Sequence, residues 1–212
     1  MTAAASPLDR VAPAVVRDGF LSSDEQRVLL DWTLAQQSAF RPSHLAGGDV
    51  HTGIRSSRRL PTELAQPWKA WFAQRMHPLL PELIATLALT PFDMERFELE
   101  LACHNDGDFY RRHIDTAINA TWHPGTRTIS AVYYFHREPL GFSGGNLRLH
   151  AFKRGGDDRA FRDIPPLQNR LVAFPSWAPH EVMPIACPSR QFADSRFSIN
   201  CWVHRTQPKD DQ

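Results

Sequence analysis

The second half of this chain reads as a succession of strands. Phe97-Glu98-Leu99-Glu100-Leu101 alternates apolar and acidic residues with period two, the signature of a strand buried on one face. Strand candidates continue at 128–135, 146–152, 170–174, 181–185 and 196–203. Pro124-Gly125, Gly144-Gly145, Gly155-Gly156, Pro165-Pro166 and Pro188 punctuate them. The last candidate is the most regular. Phe197, Ile199, Cys201 and Val203 fall on one face, and Arg196, Ser198, Asn200 and Trp202 on the other. A polar face that also carries a tryptophan is expected to line a cavity rather than open water.

The front third reads as helical. Val15 to Phe20 is a short strand candidate, and Ser22-Ser23-Asp24-Glu25 offers an N-cap with acidic first-turn residues. Pro61-Thr62-Glu63 is expected to open a second helix through Trp68, Trp71, Phe72 and Met76, with Pro78 and Pro81 interrupting it before Leu83. Helices first and strands afterwards predict an α+β chain, mainly β. With 212 residues, 42% hydrophobic and 22% charged, one domain over 13–205 can build a core without staples. Residues 13–92 would form helical support and 93–205 the β core, with 1–12 and 206–212 solvated. A net charge of +1 argues against a nucleic-acid or anionic-membrane coat. No run approaches the roughly 18 apolar residues of a membrane span. The start of the chain lacks a basic segment followed by an apolar one, so no secretory signal is expected. Three cysteines without CxxC spacing suit neither a disulfide framework nor a thiolate zinc site, and predict a reducing, cytoplasmic setting.

Among ten histidines, His113 stands out through His113-Ile114-Asp115. On a strand, residues i and i+2 share a face, so an imidazole and a carboxylate converge. His180 lies far downstream, and Arg196 opens the cavity-facing strand. Two histidines and one carboxylate on one side of a metal leave the other side open, the facial triad of non-haem Fe(II) oxygenases. An arginine in the same cavity supplies a planar fork for a distal carboxylate. The plainer alternative is a local surface pair at His113 and Asp115 and a surface ion pair at Arg196.

Five segments, in order, carry a resemblance: Tyr110-Arg111-Arg112-His113-Ile114-Asp115, Ile129 to Phe135, Gly144 to Leu149, His180 to Pro184, and Arg196 to Trp202. Together they make residues 99–204 resemble the catalytic domain of the 2-oxoglutarate- and Fe(II)-dependent dioxygenases, in the prolyl 4-hydroxylase-like branch that includes the hypoxia-sensing prolyl hydroxylases. The resemblance implies a double-stranded β-helix, or jelly roll, flanked by helices. It implies Fe(II), 2-oxoglutarate and O2, with ascorbate as an optional accessory, and succinate and CO2 as co-products of hydroxylation. His113, Asp115 and His180 match the iron ligands. Arg196 matches the residue that pairs with the far carboxylate of 2-oxoglutarate, and Tyr134 a tyrosine that bonds the same group. Ser198 and Asn200 share the face of Arg196 and would line the co-substrate pocket with Trp202. Tyr110 occupies the tyrosine position of YxxHxD, although strict alternation turns it away from His113.

Three features depart from that pattern. Residues 187–195 form an insert expected to shape the entrance. Cys103 stands where the hypoxia-sensing members carry a co-substrate-binding tyrosine, which leaves His104 or Tyr134 to take that role. Trp202 stands six residues after Arg196, where nucleic-acid demethylases carry a second arginine. The expected substrate is therefore an amino-acid side chain in a peptide or protein, and not a nucleic acid. A free amino acid or small metabolite is the alternative, as is a non-catalytic iron- and 2-oxoglutarate-binding sensor. Arg55, Arg58 and Arg59 lie in a polar, glycine-containing stretch over 42–60, read either as a movable lid or as a solvated loop. Arg148 is the further candidate for a basic entrance.

Overall fold

The computed structural model describes residues 10–43, 53–116, 127–152 and 160–206. His44, His51 and His123, and the middle of the 42–60 stretch, lie outside the described residues. Strand β1 (Val15–Asp18) precedes helix α1 (Ser23–Ala35), and the short strands β2 (Arg41–Pro42), β3 (Arg55–Ser56) and β4 (Arg58–Arg59) follow. Helices α2 (Gln66–Met76) and α3 (Leu80–Thr86) lead into the long strand β5 (Met94–His104). Then come β6 (Phe109–His113), β7 (Arg127–Phe135), β8 (Ser143–Gly144), β9 (Leu147–His150) and β10 (Phe161–Ile164). The chain closes with β11 (Arg170–Pro175), β12 (His180–Val182), β13 (Ile185–Ala186) and β14 (Arg196–Arg205).

The strands form two main antiparallel sheets, the two walls of a jelly roll. The larger runs β1-β11-β7-β14-β5-β4-β2 and the smaller β10-β9-β12-β6-β3. The alternation of β14 works as expected. Phe197, Ile199, Cys201 and Val203 join Leu29, Phe72, Met76 and Leu83 of the helices in one core. The opposite face of the large sheet looks at the small sheet, and Tyr134, Val172 and Phe174 meet Leu147 and Leu149 there. The polar residues of β14 are thus enclosed between sheets.

The helices follow their signals with one shift. Ser22 caps α1 through a reciprocal pair: Glu25 N donates to Ser22 Oγ at 3.3 Å, and Ser22 N donates to Glu25 Oε2 at 2.9 Å. Helix α2 begins at Gln66 rather than Pro61, because residues 62–65 turn first and Pro67 occupies the first helical turn, where a missing N–H costs nothing. Residues 11 and 12, expected to be solvated, are tied down: Val11 bridges Ala151 and Ala12 is buried. No helix among the described residues is long and apolar enough to cross a membrane.

The 55–59 stretch is neither lid nor solvated loop. Arg55 and Ser56 pair with β6 in the small sheet, while Arg58 and Arg59 pair with β5 in the large one. The segment ties the two walls together.

Candidate metal centre

His113 closes β6, His180 opens β12, and they stand opposite each other in the ladder. Asp115 lies beyond the end of β6, so strand alternation is not what aims it. A turn does: Asp115 N and Thr116 N both donate to Ser176 O, at 2.9 and 3.2 Å. The three side chains bring ligand atoms within 4.8 Å of one another. Asp115 Oδ1 is 3.7 Å from His113 Nε2, and Asp115 Oδ2 is 3.5 Å from His180 Nε2.

Each imidazole is aimed through its other nitrogen. His113 Nδ1 donates to Arg111 O at 2.7 Å, and His180 Nδ1 to Ala178 O at 2.9 Å. A carbonyl only accepts, so Nδ1 carries the proton and the Nε2 lone pair faces the centre. Burial and the facing His180 hold the His113 imidazole well below the usual histidine range, which keeps it in the neutral, ligating form. Burial alone would raise Asp115. The adjacent His180 and His113 rings, with hydrogen bonds from Ser130 and Trp202, outweigh it and hold the carboxyl below the usual range. Ser130 Oγ donates to Asp115 Oδ2 at 2.6 Å and lies 3.0 Å from Ser176 Oγ. Two imidazoles presenting Nε2, an ionised carboxylate and outer hydrogen bonds make a donor set that fits one divalent metal with positions left open.

The same cavity extends to Arg196. Arg196 is 2% exposed, its Nε donates to Gly145 O at 2.9 Å, and its guanidinium lies 4.8 Å from the centroid of the Tyr134 ring. Tyr134 Oη and Ser198 Oγ are buried beside it without a well-formed hydrogen bond to any described residue. Ser198 stands opposite Tyr134 across the ladder. A buried cation with two unsatisfied hydroxyls fits a carboxylate, which accepts from all three.

The other expected residues sort by position along the cavity. Tyr110 does reach the site. Val182 pairs with Tyr110 and His180 with His113, so β6 carries one extra residue between the two pairs. That bulge reverses the alternation, and the Tyr110 and His113 rings stack with centroids 3.6 Å apart. Tyr110 thus belongs to the metal end and not beside Arg196. Asn200 turns its amide to Glu100 Oε1 at 3.3 Å and forms part of the wall. Arg55 completes that wall: buried, it donates to Glu100 Oε1 at 2.5 Å and lies over Tyr110 at 4.9 Å. Arg58 instead lies over the Phe192 ring at 5.3 Å, outside the cavity.

Cys103 faces the helical core, and it is His104 that lines the cavity. Arg148 projects from the outer side of β9, paired with Asp163 through two contacts of 2.7 and 2.8 Å, and contributes nothing to the cavity. The insert lies against Asn105 and Asp106: Asn105 Nδ2 donates to Gln191 O and Cys187 N donates to Asp106 Oδ1, each at 3.0 Å. Phe192 packs on Phe40 and Phe197 at centroid distances of 5.1 Å each, anchoring it in the core. Ser130 and Ser176 were not legible as site residues. The signal for Ser130 is a small hydroxyl between Ile129 and Ala131 on the face that also carries Val132 and Tyr134.

A family model of the 2OG-Fe(II) oxygenase superfamily matches residues 99–204. The chain belongs to that superfamily. The cofactors implied by this membership are Fe(II), 2-oxoglutarate and O2, and the triad and the Arg196 pocket fit the first two. A PKHD-type hydroxylase of Synechocystis sp., itself uncharacterised, is 34% identical over 190 residues, 88% of this chain. The chain spans 61% of the length of that relative. A Pseudomonas putida prolyl-4-hydroxylase superposes with a TM-score of 0.63 at 24% identity, covering 92% of this chain and 94% of its own. A Trichoplax adhaerens prolyl hydroxylase, solved with a peptide fragment of hypoxia inducible factor, gives 0.65 at 20% identity, covering 92% and 84%. These two superpositions establish the jelly-roll fold of this chain.

Proposed function

We propose that the chain is an Fe(II)- and 2-oxoglutarate-dependent dioxygenase that hydroxylates an amino-acid side chain within a peptide or protein. The observation that carries the reading is one cavity holding the His113–Asp115–His180 triad at one end and Arg196 with two unsatisfied hydroxyls at the other. His113, Asp115 and His180 hold the metal. Ser130 keeps Asp115 ionised and oriented. Arg196, Tyr134 and Ser198 bind the distal carboxylate of 2-oxoglutarate and set its keto-acid end toward the triad. Bound iron supplies the oxidation, in which 2-oxoglutarate and O2 give succinate, CO2 and one oxygen atom inserted into a substrate C–H bond. Arg55, Glu100, Tyr110 and Trp202 wall the metal end and exclude water from it.

A peptide is favoured by a second cleft on the other side of Arg55, lined by Ser43, Ser56, Ser57, Asn105 and Asp108. Arg55 lines both spaces. Hydroxyl, amide and carboxylate groups along a cleft suit the N–H and C=O groups of an extended chain. The peptide bound to the Trichoplax neighbour is in keeping with this. Three buried free cysteines support a reducing, cytoplasmic setting. The test is mass profiling of host peptides and proteins with and without the iron-loaded enzyme and 2-oxoglutarate. A peptide heavier by one oxygen atom, formed together with succinate, is expected. Hydroxylation of a free amino acid at least as efficient as of any peptide containing it would replace the peptide reading. Binding of 2-oxoglutarate with no substrate-dependent succinate would leave a sensor.

A further inference from the structure

His104 ends β5 directly opposite Arg196, which begins β14. It lines the same cavity as the triad and is 3% exposed. Burial, with the positive charges of Arg196 and Arg55, holds its imidazole well below the usual range, so the ring is neutral. A neutral imidazole has one N–H and one acceptor nitrogen. Arg196 Nη1 lies 3.4 Å from His104 Nδ1. A guanidinium only donates, so Nδ1 is the acceptor and the proton sits on Nε2. That Nε2–H is buried, and no atom of the described residues accepts it. The unsatisfied hydroxyls of Tyr134 and Ser198 line the same cavity beside Arg196. Native interiors rarely leave several polar groups unpaired in one place unless a ligand completes them.

We infer that His104 is a co-substrate-binding residue, donating from Nε2–H to the distal carboxylate of 2-oxoglutarate while its Nδ1 holds the Arg196 guanidinium in position. The inference rests on the proposed function and extends it to a residue of a different chemical type from the tyrosine that the family resemblance implies there. It also accounts for the polarity of the site. Two ring nitrogens serve two partners, a cation donor on one side and an anion acceptor on the other, and a neutral ring fixed in one tautomer serves both.

Calorimetric titration of Mn(II)-loaded protein with 2-oxoglutarate and with 2-oxobutanoate tests this. The second ligand keeps the 2-keto acid and lacks the distal carboxylate. His104→Leu is expected to weaken 2-oxoglutarate binding about tenfold or more, the loss of a hydrogen bond to a charged group. It should leave 2-oxobutanoate and Mn(II) binding unchanged. His104→Gln should recover most of the affinity, because its amide N–H reaches the position of imidazole Nε2. Equal losses for both ligands would reduce His104 to a structural residue and overturn the inference, as would unchanged 2-oxoglutarate affinity in His104→Leu. If wild-type protein fails to prefer 2-oxoglutarate over 2-oxobutanoate, the proposed function itself falls. Nitrogen-15 NMR of the Zn(II)-loaded wild-type protein needs no variant. Nε2 protonated, with its resonance displaced by 2-oxoglutarate, supports the assignment; protonation at Nδ1 overturns it.

Discussion

At the scale of single residues, the site depends on atoms held by partners outside the triad. His113→Ala, Asp115→Ala and His180→Ala are each expected to abolish turnover, since two remaining ligands no longer define a face. Asp115→Glu should fail as well, because the longer arm displaces the carboxylate by about a bond length. Metal titration and turnover assays of the four variants check this; wild-type metal affinity in all of them would place the centre elsewhere. Gly145 sets a finer constraint. Its φ is +68°, and a Cβ there would lie 2.7 Å from Arg196 Cδ and 2.9 Å from Ile185 Cγ1. Gly145→Ala should therefore push Arg196 out of line and raise the 2-oxoglutarate requirement at least tenfold, by loss of a charge-assisted bond of about 1.5–3 kcal/mol. Metal binding should survive, because Gly145 touches no part of the triad. A KM for 2-oxoglutarate equal to wild type would contradict this account.

At the scale of elements, the strands place the site and the helices stabilise what places it. The bulge in β6 is the clearest case, since one extra residue puts Tyr110 over His113 and within reach of Arg55. Helix α1 packs Leu29 into the core behind β14, the strand that carries Arg196. Its N-terminus is held by the Ser22–Glu25 capping box. Ser22→Ala is expected to destabilise the protein by about 1 kcal/mol, the typical cost of losing such a cap. Denaturant unfolding should show a lower midpoint with an unchanged slope. Activity per folded molecule should be unaffected, because Ser22 is remote from the cavity. A loss of specific activity without a loss of stability would mean that α1 communicates with the site in some other way.

At the scale of the whole molecule, one charged cluster ties three strands of the large sheet. Glu98 on β5 faces Arg127 at the start of β7 and His204 on β14, with His204 Nε2 3.0 Å from Glu98 Oε1. Burial would raise the Glu98 carboxyl, but His204 and Arg127 outweigh it and bring the pKa down from 4.5 to about 2. The folded value lies below the unfolded one, so the cluster contributes its full stability above about pH 4.5 and loses it as pH falls toward about 2. Discounted for solvent screening, the contribution is roughly 1–2 kcal/mol. Unfolding of wild type and Glu98→Gln should differ by that amount at neutral pH and converge within that acid window. A gap that stays constant through the window would show that the Glu98 charge is not what stabilises the sheet.

What the chain's order alone determined is the part that is periodic or local. The alternation of Phe197 to Val203 sorts core from cavity, the Ser22 cap starts α1, and His113, Asp115, His180 and Arg196 appear in the order the site needs. These features survive in sequence because each depends on neighbours a few positions away, or on residue types that one chemistry requires. The rest came from register between distant segments. No local pattern announces that β6 bulges, that Ser176 turns Asp115 inward, or that Arg55 enters the cavity wall instead of riding on a lid. The choice between Cys103 and His104 was of the same kind. Both lie on one strand, and a one-residue difference in pairing exchanges the faces. Pairing of β5 with β14 places His104 against Arg196 and buries Cys103 in the helical core, a decision made by strands that meet only after the chain has folded.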